Sequence, residues 1–350
     1  MTVRSHPTSS EQRLPGPETS DGGGPHSRHA AAPTQPGVVD LDGVRRMSGA
    51  APDAVAASGR LLGIDFGGTK MAVGVADHGG RLLVAKRVAT QAELGARQAL
   101  DRALELAAEL LARAGGELTA AGIASPGVIR SDGIDLAPNV PGWEGLRLAD
   151  AVRERLGVAQ VAVANDLNAA ALAELRLGLL RDADPGLVVG LGTGVAAAVT
   201  TQGTVLSGRR GAAGEIGYAV TGWSGPESIL EQVFSGGALD RLAATFGLSG
   251  GAAALCAEAA RPGPARDALR ARLDEFARHL VTCCLLIDPR RVVLVGGVAG
   301  NPLVRELLAE RLTEALPYRP ELVLSGFPDD AALLGAVTMA AELVSTPDRG

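Results

Sequence analysis

Two stretches of this chain repeat one pattern of apolar residues around a glycine–threonine turn, and this repeat limits the possible folds most. Residues 61–83 read LLGIDFGGTKMAVGVADHGGRLL, and residues 186–206 read GLVVGLGTGVAAAVTTQGTVL. A shift of 124 positions aligns the Gly-Thr pair at 68–69 with the pair at 192–193 without a gap. Apolar residues that alternate on both sides of a glycine turn are typical of a β-hairpin. The repeated hairpin therefore predicts two similar halves that face each other.

The other apolar segments alternate between strand-like and helix-like patterns. Strand patterns occupy residues 118–127, 158–166 and 290–297, and helical patterns occupy residues 91–114, 146–157, 167–180, 235–247, 265–287, 301–316 and 329–344. Strands that alternate with helices indicate mainly parallel sheets with both faces covered. The sequence therefore predicts an α/β protein.

Length and charge narrow the class of protein. At 350 residues the chain is long enough for two lobes, and its composition, 46% hydrophobic and 21% charged, is ordinary for a globular protein. The net charge of −6 argues against a nucleic-acid partner bound through a broad basic surface. No apolar run approaches the roughly 20 residues needed to span a bilayer, so we expect no membrane association.

Residues 1–58 and the cysteines indicate where the protein works. The first 58 residues are rich in Pro, Gly and Ser without apolar periodicity, which predicts a disordered tail, and they lack the apolar segment of a secretory signal. The three cysteines, Cys256, Cys283 and Cys284, form no disulfide framework and favour a reducing cytoplasm. Cys283 and Cys284 lie in a helical apolar stretch, where core packing is favoured over catalysis.

The glycine turns allow more than one interpretation. GLGTG at 190–194 is too short for the six-position dinucleotide fingerprint, and a strand-like segment follows where that fingerprint needs a helix. Both turns could be ordinary tight hairpins. Alternatively, their backbone N–H groups could approach phosphates, because glycine has no Cβ in the way. Each turn carries a threonine, and the first adds Lys70, one of only two lysines in the chain.

Three carboxylates stand at positions suited to chemistry. Asp166 falls between a predicted strand and a predicted helix, where it could cap the helix or accept a proton from a substrate hydroxyl. Glu215 lies in the glycine-rich GAAGEIGY, and Glu231 begins a helical segment. Each could be a surface charge, or the pair could bind neighbouring hydroxyl groups. VVLVGGVAGN at 292–301 reads as a strand and a flat glycine turn, suited to an adenine face or an anion.

Six motifs in this order resemble the repressor–ORF–kinase (ROK) sugar kinases of the actin-like ATPase fold. They are DFGGTK (65–70), PNVPGW (138–143), ANDLNAAA (164–171), GLGTGV (190–195), GAAGEIG (211–217) and VVLVGGVAGN (292–301), and the resemblance covers residues 60–345. It implies an α/β, ribonuclease H-like fold with a duplicated βββαβα core. The N-terminal lobe would span residues 59–180, with the helix at 329–345 packed on it, and the nucleotide-binding C-terminal lobe would span residues 181–328.

The resemblance also implies roles for individual residues. Asp166 would be the general base of an ATP- and Mg²⁺-dependent kinase that phosphorylates a primary hydroxyl, and a homodimer is expected. The residues expected to bind the sugar are Asn139, Asn165, Asp166, Glu215, Tyr218 and Glu231. Those expected around ATP are Gly67, Gly68, Thr69, Lys70, Gly192 and Thr193 at the phosphates, Gly296 and Gly297 at the adenosine, and Asp65 at Mg²⁺ or its waters.

The chain departs from the family pattern beside the sugar site. Tyr218 stands where these kinases usually have a histidine that binds both the sugar and zinc, and the following AVTGWSGPESILE contains no Cys or His. We therefore expect no structural zinc, and packing that involves Trp223 should order this loop instead. Because that histidine normally meets the anomeric end of the sugar, the acceptor could be a hexose such as glucose, N-acetylmannosamine, or a C7-cyclitol with an exocyclic CH₂OH.

Two functions without catalysis are the rivals. A sugar-responsive repressor needs a winged helix-turn-helix before the kinase-like part, and residues 1–58 show no such pattern. An inactive sugar sensor would have no need of Asp166 or of the two Gly-Thr turns. The sequence therefore favours a kinase.

Overall fold

The computed structural model describes residues 59–345, except for residues 138, 139 and 226. The predicted tail at 1–58 and the predicted sugar-binding residue Asn139 lie outside the described residues.

The first half of the described chain builds a five-stranded sheet in the order β3-β2-β1-β4-β7. Its elements are β1 (Arg60–Phe66), β2 (Lys70–Ala76), β3 (Leu82–Ala89), α1 (Ala96–Ala114), β4 (Leu118–Ser125), the small hairpin β5 (Val128–Arg130) and β6 (Gly133–Asp135), α2 (Leu148–Leu156), β7 (Gln160–Asn165) and α3 (Asp166–Arg176).

The second half builds another five-stranded sheet in the order β10-β9-β8-β11-β12. Its elements are β8 (Gly186–Leu191), β9 (Val195–Thr201), β10 (Thr204–Val205), α4 (Leu230–Val233), α5 (Gly236–Thr245), α6 (Gly251–Ala259), α7 (Pro264–Ile287), β11 (Arg291–Val295), α8 (Pro302–Ala315), β12 (Glu321–Leu324) and α9 (Ala331–Ser345).

The two sheets share one topology, and the predicted duplication is confirmed. In each sheet the first three strands form antiparallel hairpins, while the fourth and fifth run parallel to the first. The strands that alternate with helices pair in parallel as expected, whereas the predicted hairpins after β1 and β8 add antiparallel pairs, so each sheet is mixed. The long helix expected from residue 91 begins at Ala96, since Gly95 with φ 94° separates it from a short 3₁₀ turn.

The faces of β1 alternate between two layers of helices. Leu62, Ile64 and Phe66 belong to the core formed with α1 and α2, whereas Leu61 packs with Val337 of α9. Alternation along a strand therefore places Asp65 on the α9 face. The last helix, which follows the second sheet, thus returns to cover the first sheet, while the exact lobe boundaries stay a prediction.

The three cysteines fit the core-packing interpretation. Cys256 and Cys284 are buried, Cys283 is half-buried, and none forms a disulfide. Burial raises the pKa of all three thiols, that of Cys284 to about 12. Thiols with raised pKa values are poor nucleophiles at neutral pH.

Among the helices of the described residues, none combines the length and the apolar character that a membrane span requires.

Candidate active site

The carboxyl ends of three parallel strands bring the predicted catalytic residues to one edge of the first sheet. Asp65 of β1 pairs with Ala124 of β4, and Ser125 of β4 pairs with Asn165 of β7. Asp65 and Asp166 therefore lie two strands apart at the same edge, which is where ligands of open α/β sheets bind.

Asn165, rather than Asp166, caps helix α3. Its Oδ1 accepts hydrogen bonds from the N–H groups of Leu167 (2.9 Å) and Asn168 (3.2 Å), and its Nδ2 donates to the carbonyl of Gly127 (3.1 Å). The Asn165 amide also hydrogen-bonds to the Asp166 carboxylate. Because Asn165 already caps the helix, Asp166 is not needed for that purpose.

The environment of Asp166 suits a base that works near neutral pH. Burial raises the pKa of Asp166 to about 6, although hydrogen bonds from the Leu167 N–H, its own N–H and the Asn165 side chain oppose the rise. Its Oδ1 accepts the Leu167 N–H at 2.8 Å. A carboxylate with such a pKa is ionised at pH 7 yet basic enough to accept a proton.

Asp65 lies in a group of charged residues on the α9 face. Burial raises its pKa to about 7, with Asp166 and Asp330 adding to the rise and Arg87 opposing it. Asp65 pairs with Ala72, which pairs in turn with Arg87 of β3, so the register places Arg87 on the same face. Arg87 donates to the Asp330 carboxylate (2.7 Å) and to the Asp329 carbonyl (2.6 Å). Arg87 and Asp330 lie outside the six motifs and were not predicted to belong to the site.

The two predicted sugar-binding acids lie close together. The Glu231 Oε2 atom accepts the N–H of Val195 at 2.9 Å, directly after the second Gly-Thr turn. A Cβ on Gly194 would lie 2.3 Å from this oxygen, so a larger residue there would displace the Glu231 carboxylate. Burial raises the pKa of Glu215, and the charges of Asp166 and then Glu231 raise it further. The three carboxylates therefore share one site.

Tyr218 borders this acidic site and is 44% exposed. Burial raises its pKa, and the charges of Glu215, Glu231 and Glu144 add to the rise. Glu144 directly follows the PNVPGW motif, and its Oε1 accepts the N–H of Ala137 at 3.3 Å. Glu144 was not predicted to belong to the site, although its position directly after a site motif pointed to it.

The first Gly-Thr turn presents donors and turns its carbonyls away. The N–H of Gly67 closes the turn on the Lys70 carbonyl at 3.0 Å. The carbonyls of Gly67 and Thr69 both accept from Thr90, at 2.6 Å from its hydroxyl and 2.9 Å from its N–H. Among the described residues, no acceptor is found for the N–H groups of Gly68 and Thr69 or for the exposed Lys70 ammonium.

The second turn likewise has two carbonyls bound by neighbouring donors, which here come from different residues. The N–H groups of Gly236 and Gly237, at the start of α5, donate to the carbonyls of Gly192 (2.8 Å) and Thr193 (3.3 Å). Within the described ranges, the N–H groups of Thr193 and Gly194 have no acceptor. Both turns therefore offer two adjacent free N–H groups, an arrangement that attracts anions.

The glycine turn after β11 lies against the second Gly-Thr turn. A Cβ on Gly296, whose φ is 98°, would lie 2.5 Å from the Leu191 carbonyl and 3.0 Å from the Gly192 nitrogen. Gly297 is exposed, with no atom within 4 Å of where its Cβ would be. The turns predicted to contact the phosphates and the adenosine are thus direct neighbours.

A sequence model of a known protein family matches most of the chain. The model described as the ROK family matches residues 61–343. The chain belongs to the ROK family. Its fold is accordingly the actin-like ATPase fold, as the resemblance implied.

Several relatives of this ROK protein are named kinases. The glucokinase of Thermotoga maritima is 31% identical over 315 residues, which cover 81% of this chain and 98% of the glucokinase. The kanosamine kinase of Amycolatopsis mediterranei is 30% identical over 296 residues, covering 80% of this chain and 95% of that enzyme. The chain is therefore an ATP-dependent phosphotransferase of the ROK family.

Solved structures of the family match the described fold. The ROK hexokinase from Thermus thermophilus has a TM-score of 0.71 and 32% identity, with 82% of this chain and 99% of that chain covered. A ROK glucokinase from Streptomyces griseus, solved with glucose and AMPPNP, has a TM-score of 0.69 and 28% identity, with 81% and 100% covered.

The loop in which this ROK protein departs from the family pattern is ordered by hydrogen bonds. Val220 pairs with Ile229, the Thr221 N–H donates to the Ser228 carbonyl (3.0 Å), and Arg272 forms an ion pair with Glu227 (2.5 Å). Trp223 is 95% exposed, so the expectation that its packing orders the loop was wrong. Backbone pairing between Val220 and Ile229, at the base of the loop, orders the loop instead. The absence of structural zinc stays a prediction.

Proposed function

We propose that the chain transfers the γ-phosphoryl group of ATP to the primary hydroxyl of a hexose or a hexose-like cyclitol. The observation that most supports this proposal is the position of Asp166. It shares its site with Glu215 and Glu231, and it lies at the same sheet edge as Asp65, two strands away. Asp166 would accept the proton of the attacking hydroxyl as the phosphoryl group is transferred. N-acetylmannosamine is the alternative acceptor.

The acids beside Asp166 would hold the ring. Each carboxylate can accept hydrogen bonds from neighbouring hydroxyls, so Glu215 and Glu231 would fix the orientation of the sugar. The Asn165 amide, the Tyr218 hydroxyl and Asn139 would add further contacts. Fixing the ring in this way would aim a single hydroxyl at the phosphate, and positioning supplies much of the rate enhancement in phosphoryl transfer.

The two Gly-Thr turns would bind the phosphates of ATP. Their four free N–H groups and the Lys70 ammonium would neutralise phosphate charge, with Gly67, Gly192 and the Thr69 and Thr193 side chains close by. Gly296 and Gly297 would border the adenosine. Because the second turn and the Gly296 turn are in contact, one nucleotide could reach both.

Asp65 fits a role at Mg²⁺, directly or through water. Burial raises its pKa, the charges of Asp166 and Asp330 add to the rise, and a cation would favour the ionised carboxylate. The described residues contain no group of three His, Cys, Asp or Glu able to hold a metal ion. Mg²⁺ is often bound by one or two carboxylates together with substrate phosphates, so Asp65 would hold it together with the phosphates of ATP. When bound, Mg²⁺ would neutralise charge that develops on the phosphate oxygens.

An aminohexose is the second candidate acceptor. The charges that act on Tyr218 all come from carboxylates, namely Glu215, Glu231 and Glu144. An ammonium group on the ring would be attracted to these carboxylates by its full charge, whereas a neutral hexose would bind them through hydrogen bonds from its hydroxyls alone. Kanosamine, on which one relative is named to act, belongs to this class.

An acceptor panel tests the proposal. We expect ATP consumption with at least one of glucose, kanosamine, mannose, N-acetylmannosamine, fructose and C7-cyclitols. We also expect ³¹P–¹H NMR to show the phosphate on the oxygen of the CH₂OH group. A ratio of kcat/KM above about tenfold for kanosamine over glucose would support the aminohexose. If no acceptor is phosphorylated by a protein that binds AMPPNP, the proposed acceptor class is wrong.

We expect a pH profile with a single acidic limb from Asp166. A general base must be ionised, so kcat/KM for the acceptor should fall about tenfold per pH unit below a pKa near 6 and level off above pH 7. ATP and Mg²⁺ are held at saturation, where a bound cation would favour the ionised form of Asp65 and oppose its titration in this range. The measurement is initial rate from pH 4.5 to 8.5, and a rate that is constant down to pH 4.5 would contradict the role of Asp166.

The homodimer, the cytoplasmic location and the absence of nucleic-acid or membrane partners stay predictions. They rest on the family resemblance and on the composition of the chain.

A further inference from the structure

Thr90 makes hydrogen bonds to the first Gly-Thr turn from outside every motif of the family pattern. It follows β3 and is 1% exposed. Its hydroxyl donates to the Gly67 carbonyl at 2.6 Å, and its N–H donates to the Thr69 carbonyl at 2.9 Å. Its own carbonyl accepts a hydrogen bond from Arg102 of α1. One buried residue thus binds both ends of the turn.

These two bonds determine which groups the turn can offer to a ligand. A carbonyl oxygen carries partial negative charge and repels a phosphate, whereas an N–H group attracts it. Thr90 engages the carbonyls on both sides of the turn, at Gly67 and Thr69. The N–H groups between them, at Gly68 and Thr69, find no acceptor in the described part of the chain.

The second Gly-Thr turn supports this interpretation independently. There the carbonyls of Gly192 and Thr193 are bound by the N–H groups of Gly236 and Gly237. At the first turn, the hydroxyl and N–H of Thr90 bind two carbonyls, the part that Gly236 and Gly237 have at the second turn. Each turn thus has two bound carbonyls and two adjacent N–H groups without an acceptor among the described residues, although only the bound carbonyls of Thr69 and Thr193 are at equivalent positions of the repeat.

We propose that Thr90 is a positioning residue for the phosphates of ATP, which it affects by orienting the turn of residues 67–70. It touches neither the nucleotide nor the acceptor. The role rests on the proposed function, in which this turn contacts the phosphates. Loss of the hydroxyl frees the Gly67 carbonyl to rotate toward the phosphates and removes a fixed donor geometry at Gly68.

The chain offers a matched control for a purely structural role. The hydroxyl of Thr119 in β4 donates to the Arg60 carbonyl at 3.0 Å, at the opposite end of β1. Thr119→Val and Thr90→Val thus each remove one threonine hydroxyl bonded to a main-chain carbonyl at an end of the same strand. Valine matches threonine in shape, and Thr90→Val keeps the N–H that bonds to Thr69.

The experiment compares Thr90→Val, Thr90→Ser and Thr119→Val with the wild-type protein. AMPPNP with Mg²⁺ is titrated by calorimetry, the KM values for ATP and for the acceptor are measured, and Tm is recorded. We expect Thr90→Val to weaken AMPPNP binding and raise the KM for ATP about tenfold, the effect of one lost buried hydrogen bond, with the acceptor KM within twofold. Thr90→Ser should restore both values, and Thr119→Val should change neither.

The outcomes separate this role from the proposed function. Equal AMPPNP affinity in the wild-type protein and Thr90→Val would overturn the role of Thr90. So would a loss of affinity that Thr119→Val shows equally, since that would be a general effect of weakening β1. A wild-type protein that binds AMPPNP but phosphorylates no acceptor would instead contradict the proposed acceptor, and the affinity comparison would still test Thr90.

Discussion

Asp166→Asn is expected to lower kcat at least about 10²-fold while the protein still folds and still binds AMPPNP. Proton transfer by a positioned base contributes about 10² to 10⁴-fold, and an amide cannot accept that proton. The change should leave the fold intact, because Asn165 caps α3 and an asparagine oxygen can still accept the Leu167 N–H. The measurements are kcat at saturating substrates, AMPPNP affinity and Tm.

The control for this variant is Asp101→Asn, which removes an exposed carboxylate from α1. It should leave kcat unchanged within about twofold, as most surface substitutions have little effect. The variant at Asp166 should also lose the acidic limb of the pH profile, since the group that titrates near 6 is gone. Turnover close to that of the wild type would exclude Asp166 as the base.

Gly335→Ala is expected to destabilise the fold by about 3 kcal/mol, at the upper end of the usual cost of overpacking. A Cβ at this position would lie 1.8 Å from the carbonyl oxygen of Ala169 in α3. Backbone cannot move aside as a flexible side chain can, so α9 and α3 would have to separate. A second close contact stands beside it, since a Cβ on Gly122 would lie 1.9 Å from the Ala336 carbonyl.

The measurement is urea unfolding of Gly335→Ala beside Gly326→Ala. Gly326 lies in the loop before α9, with no atom within 4 Å of where its Cβ would be. Gly326→Ala should therefore change stability by less than about 0.5 kcal/mol. Because α3 begins at Asp166, separation of the helices should also lower kcat in Gly335→Ala. Unchanged stability of this variant would mean that α3 and α9 do not pack this closely in solution.

Much of the fold and of the candidate site could be predicted from short stretches of the sequence. The repeated hairpins, the junction of strand and helix at Asp166 and the glycine turn at Gly296 were all readable from residue types and their spacing. Each depends on neighbours in the sequence, because turn conformation and apolar periodicity are properties of a few consecutive residues. Elements such as β10 and β12 were not predicted, because they are too short to show a clear periodicity.

The sequence by itself therefore determined the family, the duplicated α/β fold and the carboxylates that would act on the acceptor. Only the tertiary structure placed Arg87 and Asp330 beside Asp65, and Thr90 behind the first Gly-Thr turn. It also corrected the expected role of Trp223. These contacts depend on strand register and on packing between segments far apart in the chain, and local patterns of residue types do not specify which distant groups meet.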